Sequence, residues 1–141
     1  MRDMASRLHP VRVLSPAAAI TDNTAQVGQI VDKSGYESLT YIINIGALAD
    51  ADATFTVLLE HGDAANLSDA AAVPDDQLIG TEALAGFIFS DDNKLRKLGY
   101  TGPKRYTRMT ITPANNTGNA FISAIAILSH SRYAPTANPP S

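Results

Sequence analysis

The chain contains no cysteine and no tryptophan. Without thiols it can form neither a disulfide framework nor a thiolate metal site. Histidine is scarce: His9, His61 and His130 are the only three, and no two of them form the HExxH pair of a helical zinc site. There is no GxSxG turn to present a serine nucleophile. The run GYTGPKRYT lacks the four-residue spacer, the Gly-Lys pair and the following hydroxyl of a phosphate loop. Carboxylates occur in pairs at Asp50/Asp52, Asp75/Asp76 and Asp91/Asp92. The glycine turn and closing glutamate of a calcium loop do not follow Asp50, and solvated turns account for all three pairs. A non-enzymatic protein without metal or other cofactor is therefore expected. No apolar run approaches the roughly 18 residues of a membrane span, and MRDMASRLHPVRV lacks the continuous apolar segment of a secretory signal. Assembly in a cytoplasm, with no membrane partner, is the corresponding expectation. The triplets at Asn66 and Asn115 that resemble glycosylation acceptors then arise by chance.

What is present suits a single packed domain. The 141 residues are 45% apolar and 18% charged, a balance that can sustain a core and argues against disorder over most of the length. Charge is segregated. No basic residue lies between Lys33 and Lys94, an interval holding eleven acids, whereas six of the eleven Lys and Arg fall between Lys94 and Arg108. Arg2, Arg7 and Arg12 add a basic N-terminal segment. Such a chain can attract a second copy or a partner of opposite sign. The stretch LGYTGPKRYTRMTITP, Leu98 to Pro113, mixes Lys104, Arg105 and Arg108 with Tyr100 and Tyr106 as a nucleic-acid surface would. The acidic middle opposes that reading, and direct nucleic-acid binding is not expected.

The side-chain period is two, which predicts strands. In SLTYIINIG, Leu39, Tyr41, Ile43 and Ile45 share one face; in ATFTVLLEHG, Phe55, Val57 and Leu59 do. The two runs read as neighbouring antiparallel strands joined by the loop ALADADA. Shorter strands are expected at residues 11–14, 17–20, 27–32, 77–81 and 86–90. Residues 94–100 and 104–112 flank Thr101-Gly102-Pro103 as a hairpin would, and its basic residues Lys104, Arg105 and Arg108 suit a solvent-facing side that steers toward acidic protein surface. In NAFISAIAILSHSR, Phe121, Ile125 and Ile127 lie on one face and Ile122, Ala124, Ala126 and Leu128 on the other. Both faces are apolar, which implies cover on both sides, with a buried helix as the competing assignment. Phe121, Ile122, Ile125 and Leu128 are the candidates for a dimer seam, against plain sandwich core. A short helix is expected at SDAAAVPDD, capped by Ser68 and ended by Pro74. Eight or nine strands with regular turns point to an all-β, jelly-roll-like antiparallel sandwich over residues 17–132. Residues 1–16 read as an extended N-terminal arm and 133–141 as a C-terminal tail.

Three ordered blocks, VDKSGYESLTYIINIGALADADATFTVLLEHGD, DAAAVPDDQLIGTEA and DDNKLRKLGYTGPKRYTRMTITPANNTGNA, give the sequence over about residues 27–128 a resemblance to the small cement, or decoration, proteins of short-tailed phages. The resemblance implies a jelly-roll-like domain, a homodimer, that sits on the outer surface of an icosahedral head and binds its major capsid protein. On that footing Arg2, Arg7 and Arg12 would lie against acidic capsid surface or a neighbouring copy. The alternative is another virion interaction module, such as a tail or head-tail accessory protein or a host-surface adhesin.

Overall fold

The computed structural model describes residues 3–140. Its strands are β1 (His9–Leu14), β2 (Gln26–Val27), β3 (Val31–Asp32), β4 (Tyr36–Leu48), β5 (Thr54–Gly62), β6 (Ala71–Ala72), β7 (Leu78–Ile79), β8 (Phe87–Ile88), β9 (Leu95–Tyr100), β10 (Tyr106–Ala114) and β11 (Ala120–Ser131), with one four-residue helix, α1 (Glu82–Ala85). They form two antiparallel sheets packed face to face. One has the order β1-β11-β4-β9-β7; in the other β10 and β5 lie side by side, with β2 and β3 beyond β10 and β6 and β8 beyond β5. If β2 and β3 are taken as one interrupted strand, the long strands alternate between sheets as they do in a jelly roll.

The alternating pattern accounts for the core. Leu39, Tyr41, Ile43 and Ile45 of β4 and Ala120, Ile122, Ala124, Ala126 and Leu128 of β11 are buried against Phe55, Val57 and Leu59 of β5 and Met109 and Ile111 of β10. The Tyr41 hydroxyl bonds Thr107 Oγ1 across the sandwich at 2.6 Å. Both groups are buried, and the bond satisfies each where water cannot. Burial pushes the Tyr41 hydroxyl well above its ordinary range, against the smaller pull of Thr107.

Several expected neighbours are not neighbours. β4 and β5 lie in opposite sheets, so ALADADA crosses the sandwich; β4 pairs with β11 and β9, and β5 pairs with β10. Thr101-Gly102-Pro103 likewise carries the chain from β9 in one sheet to β10 in the other and is not a hairpin turn. This crossing is pinned from below. The Tyr100 hydroxyl bonds His61 Nδ1 at 2.8 Å and accepts from the Lys104 amide at 3.1 Å. Lys33 Nζ donates to the Gly102 carbonyl at 3.0 Å and lies 5.2 Å from the Tyr100 ring centroid, where its charge meets the negative ring face. A Cβ at position 102 would meet that ring at 2.6 Å, so the loop can close over the tyrosine only with glycine.

The expected helix at SDAAAVPDD is absent. Asp69 instead accepts from the Asp63 and Ala64 amides at 2.8 and 3.2 Å, closing a loop, and Ala71–Ala72 becomes β6. The helix falls later, where Thr81 caps α1 by accepting from the Leu84 amide at 3.0 Å. Residues 17–20 contribute only a bridge from Ile20 to Ala120. The N-terminal arm is shorter than expected: His9–Leu14 is a sheet strand paired with β11, and Val13 is buried in the core. β1 rises beside the most apolar strand of the chain, where pairing satisfies its backbone. The tail is tied back to this end, the Thr136 amide and hydroxyl donating to Ser6 O at 2.9 Å and Leu8 O at 2.6 Å.

Candidate interaction surface

Each sheet has an outward face, and the two differ in chemistry. On the β5–β10 sheet the cross-strand neighbours are Thr56 with Thr112, Leu58 with Thr110 and Glu60 with Arg108. Val27 lies beyond Thr110, so the exposed apolar residues Val27 and Leu58 are separated by a hydroxyl. Arg108 Nη2 reaches Glu60 Oε1 at 3.2 Å. At the β3 end Arg105 grips Asp32 with two parallel bonds of 2.8 and 2.9 Å, a fork geometry that holds the Asp32 carboxyl below its ordinary range and raises the Arg105 pKa further. Lys104 pairs with Asp63 at 2.6 Å, which raises the Lys104 pKa.

The predicted basic contact of Lys104, Arg105 and Arg108 is therefore spent within the chain. The acidic middle and the basic C-terminal half, far apart in sequence, are brought together by strand pairing. Solvent screening leaves such exposed pairs little weight in stability. Their larger consequence is to neutralise this face.

The outward face of the five-stranded sheet reads in three rows. The first is Pro10, Ile127, Thr40, Gly99, Ile79; the second Arg12, Ile125, Ile42, Lys97; the third Ser123, Asn44, Leu95. Phe121 stands past the third row, at a register shift in β11, beside Gly46, where a Cβ would come within 2.9 Å of the Phe121 carbonyl oxygen. Four of these large apolar side chains stand open: Ile79 at 67%, Leu95 at 64%, Phe121 at 47% and Ile125 at 40% of full exposure. No acidic residue occupies any of these positions.

The seam candidates thus divide by face. Phe121 and Ile125 point outward, whereas Ile122 and Leu128 are core residues, 5% and 2% exposed. Successive residues of a strand point to opposite faces and cannot share one contact surface, so any seam on β11 is limited to the outward pair. Arg12 lies on β1 at the edge of this face, Arg7 lines a cavity with Tyr36, His130 and Arg132, and Arg2 lies outside the described residues.

Groups suited to chemistry are engaged elsewhere. A cleft of about 590 Å³ beside β5 and α1 is lined by Phe55, Phe87, Ile88, Glu82 and Asp91 among others. Glu82 Oε1 accepts from the Leu59 amide at 2.6 Å, capping an edge amide of β5. Asp91 accepts from the Ile88 amide at 3.1 Å and pairs with Arg96 at 2.9 Å and Lys94 at 3.2 Å. Asp50 accepts from the Thr117 amide at 2.8 Å and the Asp52 amide at 2.9 Å, the role of a turn residue. No group of three His, Cys, Asp or Glu residues that could hold a metal ion occurs among the described residues. No helix among them is long and apolar enough to cross a membrane. One Ser-His contact was not foreseen from sequence: Ser38 Oγ lies 3.0 Å from His130 Nδ1. Among the described hydrogen bonds, no carboxylate orients that ring as a triad requires.

No protein-family profile matches the sequence, and no curated protein matches it. The fold is similar to that of a chain in the capsid of Ralstonia phage GP4, at 12% identity and a TM-score of 0.48, covering 92% of this chain and 88% of that one. It is also similar to the SPBc2 prophage-derived protein YomS, at 11% identity and a TM-score of 0.45, covering 85% and 92%. A xylan-binding domain of the CBM22 type is similar at 13% identity and a TM-score of 0.36, covering 92% of each chain. Sandwiches of this kind host unrelated functions, which reside in their surfaces.

Proposed function

We propose that this chain is a virion decoration protein: a non-enzymatic module that binds the outside of a phage head and stabilises contacts between major capsid protein subunits. The observation that carries the reading is the outward face of the five-stranded sheet, where Ile79, Leu95, Phe121 and Ile125 are exposed. A group of large apolar side chains exposed on one sheet face is the mark of a protein contact. The sequence blocks over residues 27–128 supply the identity of the partner through their resemblance to decoration proteins.

The physics of such a role is mass action. A protein that binds only the mature lattice shifts the shell's equilibrium toward that state by its binding free energy. Many copies on one shell give this effect without strong single contacts. The test is to assemble empty heads from the major capsid protein of the same genome and heat them with and without the chain. The reading predicts co-sedimentation and a raised disruption temperature. Heads that neither bind the chain nor gain stability overturn it.

A further inference from the structure

We infer that the outward face of the five-stranded sheet docks onto a protein surface that is apolar at its centre and carries carboxylates on two sides, and not onto the same face of a second copy of this chain. The inference rests on the virion reading above and specifies the chemistry of the head surface that is met.

The central row of the face reads Arg12, Ile125, Ile42, Lys97. Its two cations stand three strand spacings apart, about 14 Å, with isoleucines between them. Five other basic side chains, Lys94, Arg96, Lys104, Arg105 and Arg108, are already paired with Asp91, Asp63, Asp32 and Glu60. Among the described residues Arg12 and Lys97 form no ion pair. Arg12 is held in place by a neutral group: with the Gln29 amide oriented to satisfy both contacts, its oxygen accepts from Arg12 Nη2 at 2.7 Å and its nitrogen donates to the Arg12 carbonyl at 3.1 Å. The cation is positioned and keeps its charge.

Covering this face removes water from the ends of the row. A cation so desolvated is tolerated only beside a carboxylate. Two copies packed through this face offer none, because the central row of the five-stranded sheet is apolar or basic in each copy, and like charges placed together are costly. An acid-flanked apolar surface satisfies every group. Thr40, Asn44 and Ser123 favour protein over a lipid surface, since their polar groups sit among the apolar residues and require fixed partners.

The experiment compares wild type, Arg12→Glu, Lys97→Glu, Leu95→Asp and, on the opposite face, Thr112→Glu, each confirmed folded by circular dichroism, in co-sedimentation with the empty heads. Each of the first three variants is expected to bind about tenfold more weakly or worse, and Thr112→Glu to bind as wild type. Added salt should weaken wild type more than either charge reversal. Wild type that binds heads while both reversals bind equally well overturns this inference and leaves the virion reading standing. Wild type that does not bind heads overturns that reading, and this inference with it. Two controls bear on the occupant alone: a concentration-dependent dimer in analytical ultracentrifugation that Ile125→Asp abolishes, or binding to phosphatidylglycerol vesicles that Leu95→Asp abolishes, overturns the assignment to an acidic protein surface.

Discussion

The two outward faces of this sandwich are built from the same strand chemistry and end in opposite states. On the β5–β10 sheet, threonines interrupt the apolar residues and every charge in the central rows has its partner, Arg108 with Glu60 and, at the end, Arg105 with Asp32. On the five-stranded sheet, isoleucines run side by side between two cations that have no acidic partner among the described residues. A sheet face is finished when its charges cancel and its apolar side chains are separated. One face here meets that condition, and the other meets it only in contact with something else.

The sharpest way to break this comparison is a pair of substitutions on one strand. Ile122→Asp puts a carboxylate into the core and should cost about 4 kcal/mol or more, seen as a chain that no longer unfolds cooperatively in urea. Ile125→Asp, three residues on and facing outward, should cost only about 1 kcal/mol while removing head binding. Equal damage from both would mean that the outward face is not open. Next in size is the Tyr41–Thr107 bond between the two sheets. Tyr41→Phe leaves the Thr107 hydroxyl buried without a partner, an expected loss of about 1 to 3 kcal/mol, and adding Thr107→Val should restore part of it in the urea midpoint.

A smaller effect concerns pH. Burial, with Lys104 nearby, holds the His61 pKa below its ordinary 6.5. The unfolded chain then takes up a proton that the folded chain declines. The stability this contributes is complete above 6.5 and is lost as the pH falls through the lower folded value. Melting temperature should decline on acidification below pH 6.5, and His61→Gln should flatten that slope. The smallest effect is expected on the finished face: Arg105→Ala removes a solvent-screened pair with Asp32, should leave the urea midpoint nearly unmoved, and leaves head binding unchanged.

Alternation made the inward faces legible in the sequence. Leu39, Tyr41, Ile43 and Ile45, or Phe55, Val57 and Leu59, declare themselves by period, and so does the all-β class. Period reports which way a side chain points and says nothing about which strand lies alongside. For that reason ALADADA and Thr101-Gly102-Pro103 read as hairpin turns although both cross between sheets. The same limit hid the ion pairs: Arg105 and Asp32 are 73 residues apart, and only strand order joins them. Of the candidate surface, Phe121, Ile125 and Arg12 were visible one by one. Ile42, Leu95, Lys97 and Ile79 enter it only through the order β1-β11-β4-β9-β7, which is a tertiary fact.

The most direct measurement is oxidative footprinting of side chains on the chain free and bound to heads. The account predicts that Phe121, Ile125, Leu95 and Ile79 become protected on binding, while Val27, Leu58 and Tyr106 on the opposite face keep their free reactivity. Protection of Val27, Leu58 and Tyr106 with the first four residues unchanged would contradict it.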